Sequence, residues 1–410
     1  MRPGKRAVWG AASILVILVA YTAAFGVRLY ARGYDKFFRD YVRWLATPAP
    51  VVTSPVYVFV LFADHFEPDY DAARVVRWSR RYQAFANRHH DGVGRPPQHT
   101  FFYPAEQAQP KIFSELRRLT QAGLGEVELH YHHDFDTADT LRPKLQRAIA
   151  EMQEYGFLRT AAGETRFGFI HGNWGLDNAD GPFLCGVNDE LRLLHQLGCF
   201  ADFTFPSVYA DAQPPFVNTI YAAKDDDRPK SYRDRLPLTE LDRSADLMIF
   251  QGPLLFAPSL SVKHLFFDLD DGNIHPAVPA SPRRADRWVR ANVHVTARPD
   301  WVFVKVFAHG VSTPEDEEVV LGPTFDETLS YLEHRYNDGR TYRLRYITAR
   351  EAYNLAHAAA FGERGNPDGY LNYPIAPYVA DGNPQRDPSP VLSQVEPATA
   401  SLQSCQRRRS

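Results

Sequence analysis

The sequence predicts an α/β fold in which one N-terminal membrane helix precedes a parallel sheet or a seven- or eight-stranded α/β barrel. From Pro55 onward, strand-like and helix-like blocks alternate along the chain, as they do in βα units. The first strand-like block, VYVFVLFA, is the continuous apolar run expected of a strand buried on both faces. The number of such blocks is the number expected of an α/β barrel, whose chemistry collects at the carboxyl ends of its strands.

The N-terminal run from Ala7 to Val27 carries no charge. At about 1.5 Å per residue it can cross a hydrocarbon core of about 30 Å. We therefore expect a transmembrane anchor with a short cytoplasmic end over residues 1–28; a cleaved signal peptide, which typically has an apolar stretch of only about 7–15 residues, is the alternative. Basic residues lie on both sides of the run, so charge does not determine its orientation. Residues 29–54, basic and aromatic at first, are expected to form a juxtamembrane linker.

The remaining elements are expected in a body spanning residues 55–373. The predicted strands are, in order, VYVFVLFA, QHTFFYP, EVELHYHH, RFGFIH, CFADFTF, LMIFQG and WVFVKVFAH. Helices lie between them: one ends at Gly123, a second runs roughly over residues 142–155, and VNDELRLLHQLG forms a third.

A closing αβα segment is expected after Gly310. It would consist of an acidic loop EDEE, a helix around FDETLSYLEHRY, a strand YRLRYIT and a helix AREAYNLAHAAAFG. Residues 374–410 are rich in Pro, Ser and Gln and are predicted to be a disordered tail.

Composition excludes several classes of protein. The chain has 410 residues, and its 46 Lys and Arg are scattered among 49 Asp and Glu, so no basic stripe indicates nucleic-acid binding. It contains no G-x-S-x-G elbow, P-loop or dinucleotide fingerprint, which argues against a serine hydrolase and against a nucleotide site. Its three cysteines make no disulfide framework or zinc ribbon, although a pair between Cys185 and Cys199 is possible.

The strongest chemical signal is LHYHHDFDT, at the end of the third predicted strand. It places His130, His132, His133 and Asp134 within five residues. Imidazole and carboxylate are preferred ligands of zinc and related divalent ions. On a strand His130 and His132 share a face, while His133 and Asp134 turn into the loop, so the four cannot all bind one ion.

A second signal, FADHFEP, follows the first strand and contains Asp64, His65 and Glu67. A carboxylate beside an imidazole can supply a metal ligand and a general base. Because the first and third strands of an α/β barrel can present their ends to one pocket, we expect this cluster to converge with the first.

Two further motifs suggest groups that contact substrate. FGFIHGNWGLDN contains His171, Asn173, Trp174 and Asp177, and an indole beside hydrogen-bonding side chains suits a sugar. A packed lid residue is the alternative interpretation of Trp174. In VFAHG, His309 ends the last clear strand and could donate a proton or have only a structural role.

In this order, the motifs resemble those of the NodB-like polysaccharide deacetylases, carbohydrate esterase family four. LFADHF, HTFFYP and EVELHYHHD are similar to that family's T-F-D-D-G motif, its TFF-type strand and its E-I-G-x-H-x-x-x-H motif. GNWG is similar to its substrate-groove motif and VFAHG to its leucine-histidine motif. The resemblance covers roughly residues 56–310 and implies a distorted (β/α)7 barrel.

The resemblance also implies roles for individual residues. Asp64 matches the catalytic base and His309 the general acid, while His65, His130 and either Asp134 or His133 match the metal ligands. Relative to the family pattern, an aspartate and a histidine have exchanged places at residues 65 and 134. The groups left for substrate binding are Glu67, His132, His171, Asn173, Trp174 and Asp177.

The expected function is that of a membrane-anchored hydrolase that uses a divalent metal ion, zinc in the first place, to remove acetyl groups from an N-acetylated glycan. Its substrate would be a polysaccharide or cell-envelope glycan, with the barrel outside the cytoplasm. Two alternatives stay open. One is a metal-independent glycoside hydrolase in which Asp64 or Glu67 pairs with Asp177 or Asp202; the other is a carbohydrate-binding barrel without catalysis.

Overall fold

Strands and helices alternate along the chain, as the sequence predicts. The computed structural model describes residues 5–52, 55–259 and 267–379. Its strands are β1 (Val56–His65), β2 (His99–Pro104), β3 (Gly125–Tyr131), β4 (Phe167–His171), β5 (Cys199–Asp202), β6 (Ile220–Ala223), β7 (Leu247–Phe250), β8 (Leu255–Pro258), β9 (Phe267–Asp270), β10 (Trp301–Ala308) and β11 (Tyr342–Ile347). Its helices are α1 (Lys5–Ala31), α2 (Asp35–Ala46), α3 (Ala72–Ala86), α4 (Pro110–Gln121), α5 (Ala138–Glu154), α6 (Glu190–Gln196), α7 (Pro282–Arg290), α8 (Pro314–Leu321), α9 (Pro323–Arg335) and α10 (Ala349–Ala360).

The central sheet is mostly parallel. Its strands follow the order β10-β1-β2-β3-β4-β5-β7-β6, and β11 pairs with the first part of β1. Only the β6–β7 pair within it is antiparallel. The α/β class is therefore confirmed. No ladder joins β10 to β6 or β7 within the described part of the chain, so a closed barrel is not confirmed.

Side chains of β1 alternate between two apolar cores. Val58, Val60 and Phe62 belong to the core that includes helix residues such as Trp78. Tyr57, Phe59, Leu61 and Ala63 belong to a second core, which also contains Phe250 of β7 and Phe303 of β10, with their ring centroids 5.4 Å apart. Because side chains alternate along a strand, His65 continues the face of the second core and Asp64 that of the first.

The acidic stretch EDEE forms part of helix α8 and not the predicted loop. Thr313 caps its N-terminus by accepting a hydrogen bond from the Asp316 amide, and Pro314 occupies the first turn. Acidic residues in that turn favour a helix because they face the positive end of its dipole. Helix α3, which the sequence reading omitted, begins in the same way, at an Asp71 cap.

The apolar N-terminal run forms helix α1, as expected, and a second helix, α2, lies within the expected linker. Residues Ser13–Ala31 of α1 have a mean hydropathy of 1.9 and are long enough to cross a membrane. Helix α2 then packs on the body, because Phe37 and Tyr41 are buried together with Leu254. The expected linker is thus partly a docked helix.

The folded body extends beyond the predicted end at residue 373. Ile375 is buried, and its carbonyl accepts hydrogen bonds from Arg350 and Asn354. The Tyr378 hydroxyl donates to Glu128, at 2.8 Å. The predicted tail therefore begins too early at 374; its part from residue 380 onward lies outside the described residues.

Candidate metal centres

Four histidines surround the carboxylate of Glu67. Its Oε1 lies 3.0 Å from His130 Nε2, 3.7 Å from His309 Nε2 and 3.8 Å from His65 Nδ1. His132 joins the same group of potential ligand atoms, in which the members of each set of three lie within 4.8 Å of one another. We call His65, Glu67, His130, His132 and His309 the open cluster.

Parallel pairing brings the open cluster together. His65 ends β1, His130 lies near the end of β3, and His309 directly follows β10. Carboxyl ends of parallel strands meet at one edge of a sheet, which is where α/β proteins place their chemistry. The expected convergence of the first and third strand ends is therefore present in the structure, and β10 adds a third strand.

The hydrogen bonds of His130 suit a metal ligand. Its Nδ1 lies 3.0 Å from the Ile170 carbonyl and its Nε2 3.0 Å from Glu67, so both nitrogens face acceptors. A neutral imidazole can donate from only one nitrogen. Burial lowers the pKa of His130, which opposes a doubly protonated ring. A cation at Nε2 would satisfy both contacts, with Nδ1 donating to the carbonyl.

His132 lies with the potential ligands and not in a separate substrate site. Its Nδ1 contacts the Glu106 carboxylate. Burial opposes protonation of this ring, but Glu106 outweighs burial and raises the pKa of His132. The His132 ring packs against the backbone of Gly172, which has no side chain. A Cβ at Gly172 would lie 2.4 Å from His132 Cδ2 and would exclude the ring from this position.

Solvent reaches the open cluster from the side of His309. The side chains of His309 and Glu67 are 37% and 23% exposed. His65 is buried, and its Nδ1 has no hydrogen-bond partner among the described residues. Burial opposes ionisation of Glu67, but the hydrogen bond from His130 and the nearby histidines lower its pKa to about 2. Desolvation, followed by the charge of His309, lowers the pKa of His65 well below its ordinary value.

Trp174 forms one side of the open cluster. Its ring stacks on His65 with centroids 4.8 Å apart and also contacts Phe307, at 5.8 Å. The neighbouring Asn173 has a different role from the predicted one, because its side-chain amide donates to the His133 carbonyl at 2.8 Å. Asn173 therefore holds the loop, while Trp174 lies beside the cluster.

Asp64 is not part of the open cluster. Its Oδ2 lies 2.9 Å from His99 Nε2, and its Oδ1 accepts a hydrogen bond from the Gly310 amide at 2.7 Å. It is fully buried on the face of β1 opposite to His65. These contacts do not suit the predicted catalytic base; instead, Asp64 holds the backbone next to His309.

A second group of potential ligands is completely buried. His133, His171, Cys185 and Glu190 each offer a ligand atom within 4.8 Å of the others, and we call them the closed cluster. The structure thus separates the adjacent histidines of LHYHHD: His132 joins the open cluster and His133 the closed one. This fits the expectation that one ion cannot bind all of them, but His133, expected as a possible ligand of the ion held by His65 and His130, lies in the other cluster.

Asp134 and Asp177, two further predicted site residues, also lie outside both clusters. Asp134 is exposed, and no described cluster of potential metal ligands includes it, so the structure does not bring it together with the other predicted ligands. Asp177, expected to bind substrate, is buried and accepts a hydrogen bond from the Ser231 amide at 2.6 Å. Burial raises the pKa of Asp177 to about 9.

The sequence motifs alone do not indicate Glu67 as the centre of a cluster, nor do they indicate a site role for Cys185, Glu190, Glu106 or His99. Cys185 and Glu190 lie close together just before and at the start of a helix, and that spacing was a usable signal. The contacts of Glu106 and His99 arise across strands and had no local signal. The possible disulfide does not form, because Cys185 and Cys199 are both free thiols.

Comparison of the chain with family models, curated proteins and solved structures finds no match.

Proposed function

We propose that this protein is a membrane-anchored, metal-dependent hydrolase whose reaction takes place at the open cluster. The observation that carries the proposal is the surrounding of one carboxylate, Glu67, by four imidazoles at a solvent-accessible sheet edge. His65, His130 and Glu67 would hold the ion, and this set of nitrogen and oxygen ligands suits zinc. A bound zinc ion would activate water and polarise a substrate carbonyl.

The chain's own groups supply the rest of the mechanism. His309 is the most exposed histidine of the open cluster and is placed to donate a proton to a leaving group. Asp64 accepts the Gly310 amide hydrogen bond and so positions the backbone beside His309. Trp174 offers an aromatic face beside His65, against which the apolar face of a sugar ring can pack.

We infer an acetylated glycan as the substrate class from the resemblance to the polysaccharide deacetylases and from the position of Trp174. The helix α1 would anchor the enzyme, with the body folded as a distorted barrel on the outer side of the membrane, where envelope glycans occur. Glu67 takes the place that the resemblance gave to Asp134 or His133.

The glycoside hydrolase alternative has less support. It needs two carboxylates on either side of a sugar bond. Asp64, Asp177 and Asp202 are all fully buried and hydrogen-bonded, which leaves Glu67 without a carboxylate partner among the candidates.

The test is the metal content and activity of the full-length protein in detergent. We expect His130→Ala to lose about one equivalent of zinc and the release of acetate from acetylated oligosaccharides. The matched control is His334→Ala, an exposed histidine of α9, which should retain both. Retained zinc and activity in His130→Ala would contradict the proposal. Zinc binding without hydrolysis of any glycan would favour the binding-protein alternative.

A further inference from the structure

The closed cluster contains buried nitrogen atoms that have no hydrogen-bond partner among the described residues. His133 Nε2 lies 2.9 Å from Glu190 Oε1, and Cys185 Sγ lies 3.5 Å from Glu190 Oε2. His171 Nε2, 3.7 Å from the same carboxylate, is buried and has no hydrogen-bond partner in the part of the chain that the structure describes, and the same holds for His133 Nδ1. Leaving such groups unsatisfied in a protein interior destabilises the fold.

The charges of the closed cluster also favour a bound cation. Glu190 is fully buried, and no Lys or Arg forms an ion pair with it in the part of the chain that the structure describes. A divalent ion bound by one thiolate, one carboxylate and neutral imidazoles forms a site with no net charge. Buried charges are tolerated when they are neutralised in this way by a partner or a metal.

The backbone around Cys185 is arranged to receive a thiolate. The amides of Asn178 and Val187 point at Sγ, at 3.3 and 3.4 Å. Gly186 allows this loop to approach closely, since its φ is +98° and a Cβ there would lie 2.3 Å from the Asp136 carbonyl oxygen. Donors around the sulfur stabilise its charged form, which is the form that binds metals.

An outer layer of contacts orients the histidines. Asp136 Oδ2 lies 3.6 Å from His133 Nδ1 and is itself held by Lys144. A carboxylate facing the second ring nitrogen is typical of metal-binding histidines, although here the separation is longer than a hydrogen bond. His171 Nδ1 accepts two long hydrogen bonds, from the amides of Asn173 at 3.2 Å and Gly175 at 3.4 Å, so the neutral ring carries its proton on Nε2. To bind an ion through Nε2 as a neutral ligand, the ring would have to move this proton to Nδ1 and give up both amide hydrogen bonds, which makes His171 the weakest of the four ligands.

We propose that the closed cluster is a second, structural zinc site, with His133, Cys185 and Glu190 as its main ligands and His171 completing it. Its burial matches structural zinc sites, which are closed, whereas catalytic sites keep an open position. The ligands come from the end of β3, the end of β4, the loop over residues 172–189 and the start of α6. The zinc would fasten this loop, which has no helix or strand and carries Trp174 to the open cluster.

The experiment measures zinc in the full-length protein, in detergent, for wild type, Cys185→Ser and Cys199→Ser. We expect about two equivalents in wild type, about one in Cys185→Ser and about two in the control, because Cys199 is equally buried but lies outside the cluster. With Co²⁺ in place of zinc, wild type and the control should show thiolate-to-cobalt charge transfer, and Cys185→Ser should not. Protease cleavage within residues 172–189 should increase in Cys185→Ser alone.

Absence of the charge-transfer band in cobalt-loaded wild type would overturn the proposal. This result needs no variant, so it holds even if Cys185→Ser fails to fold. Unchanged zinc content in Cys185→Ser also overturns it. The two proposals can be tested separately. Loss of zinc only in His130→Ala would support the hydrolase proposal and contradict the second zinc site. Loss of zinc only in Cys185→Ser would support the second zinc site and contradict the hydrolase proposal.

Discussion

The carboxylate of Glu67 is the single group on which the open cluster depends. Three imidazole nitrogens lie within 3.8 Å of its Oε1. None of these contacts is local to the FADHFEP motif except that of His65. A side chain that follows one strand thus gathers histidines from three strand ends.

Replacing Glu67 by glutamine should weaken zinc binding at the open cluster. The substitution keeps the shape of the side chain but removes its charge, and we expect a loss of affinity of at least about tenfold, since even outer contacts of metal sites contribute about 10–100-fold. Competition with a chelator measures it. Glu164→Gln, at an exposed carboxylate outside the cluster, is the control; equal affinities in the two variants would count against Glu67 as a ligand.

Lys305 should make stability depend on pH. It is buried on β10 and donates to the Phe203 carbonyl, and burial lowers its pKa to about 7, although Asp202 and Asp271 act in the opposite sense. Between about pH 7 and the ordinary lysine pKa of about 10.4, the unfolded chain binds more protons than the folded one. The free energy of unfolding should therefore rise with pH across this window.

Lys305→Met should lack this contribution. Denaturant unfolding between pH 6 and 9 measures the free energy of unfolding of both proteins. As the pH rises, this free energy should increase in wild type relative to the variant by up to about 1.4 kcal/mol per pH unit. His65 also faces this charge, so the comparison should be made in the metal-loaded protein. A pH-independent difference would show that Lys305 keeps an ordinary pKa in the fold.

Helix α2 shows how an element can belong to the folded body although its sequence suggests a linker. Its residues Phe37 and Tyr41 are buried, Tyr41 lies edge-on to Phe256 with ring centroids 4.9 Å apart, and Asp40 accepts a hydrogen bond from the Val217 amide. A soluble fragment that begins at residue 51 would expose the surface these side chains cover.

Phe37→Ala should destabilise the protein by about 3–5 kcal/mol, the usual cost of removing a fully buried phenylalanine. Leu45→Ala on the same helix should change stability by less than about 0.5 kcal/mol, because Leu45 is 66% exposed. Thermal or denaturant unfolding measures both. Similar effects at the two positions would mean that α2 does not dock on the body.

At the scale of the whole molecule, the segment 374–379 closes the fold at the end of the sheet away from the open cluster. The carbonyl of Ile375 accepts a hydrogen bond from the Arg350 guanidinium. Arg350 also forms an ion pair with the carboxylate of Glu126, near the start of β3, at 2.8 Å. A chain that ends at residue 373 should therefore unfold at a lower temperature than one that ends at 379. Unchanged thermal unfolding in the shorter chain would show that these contacts contribute nothing.

Within the described residues, α1 is the one helix long and apolar enough to cross a membrane, so we expect it to be the anchor. Deleting residues 5–27 should move the protein from the membrane fraction to the soluble fraction after cell lysis, because α1 holds the long apolar segment. Deleting the exposed stretch 162–164 of the body is the control and should leave the protein in the membrane fraction. Membrane attachment without residues 5–27 would assign it to another part of the chain.

Local patterns in the sequence determined the α/β class, the main strands, the apolar N-terminal helix and the expectation that the ends of β1 and β3 meet. They succeeded because strand periodicity, apolar runs and parallel pairing are properties of neighbouring residues and of strand direction. They also indicated that His132 and His133 point in opposite directions, as successive side chains of a strand do, but not that the two belong to different clusters.

Only the tertiary structure decided which polar residues share a site. Asp64 and His65 are neighbours, yet one contacts His99 and the other faces Glu67. Cys185 and Glu190 meet His133 only because the loop after β4 folds back onto the end of β3. Such contacts join residues far apart in the chain, and their distances depend on how strands and loops pack, which no local pattern of residues encodes.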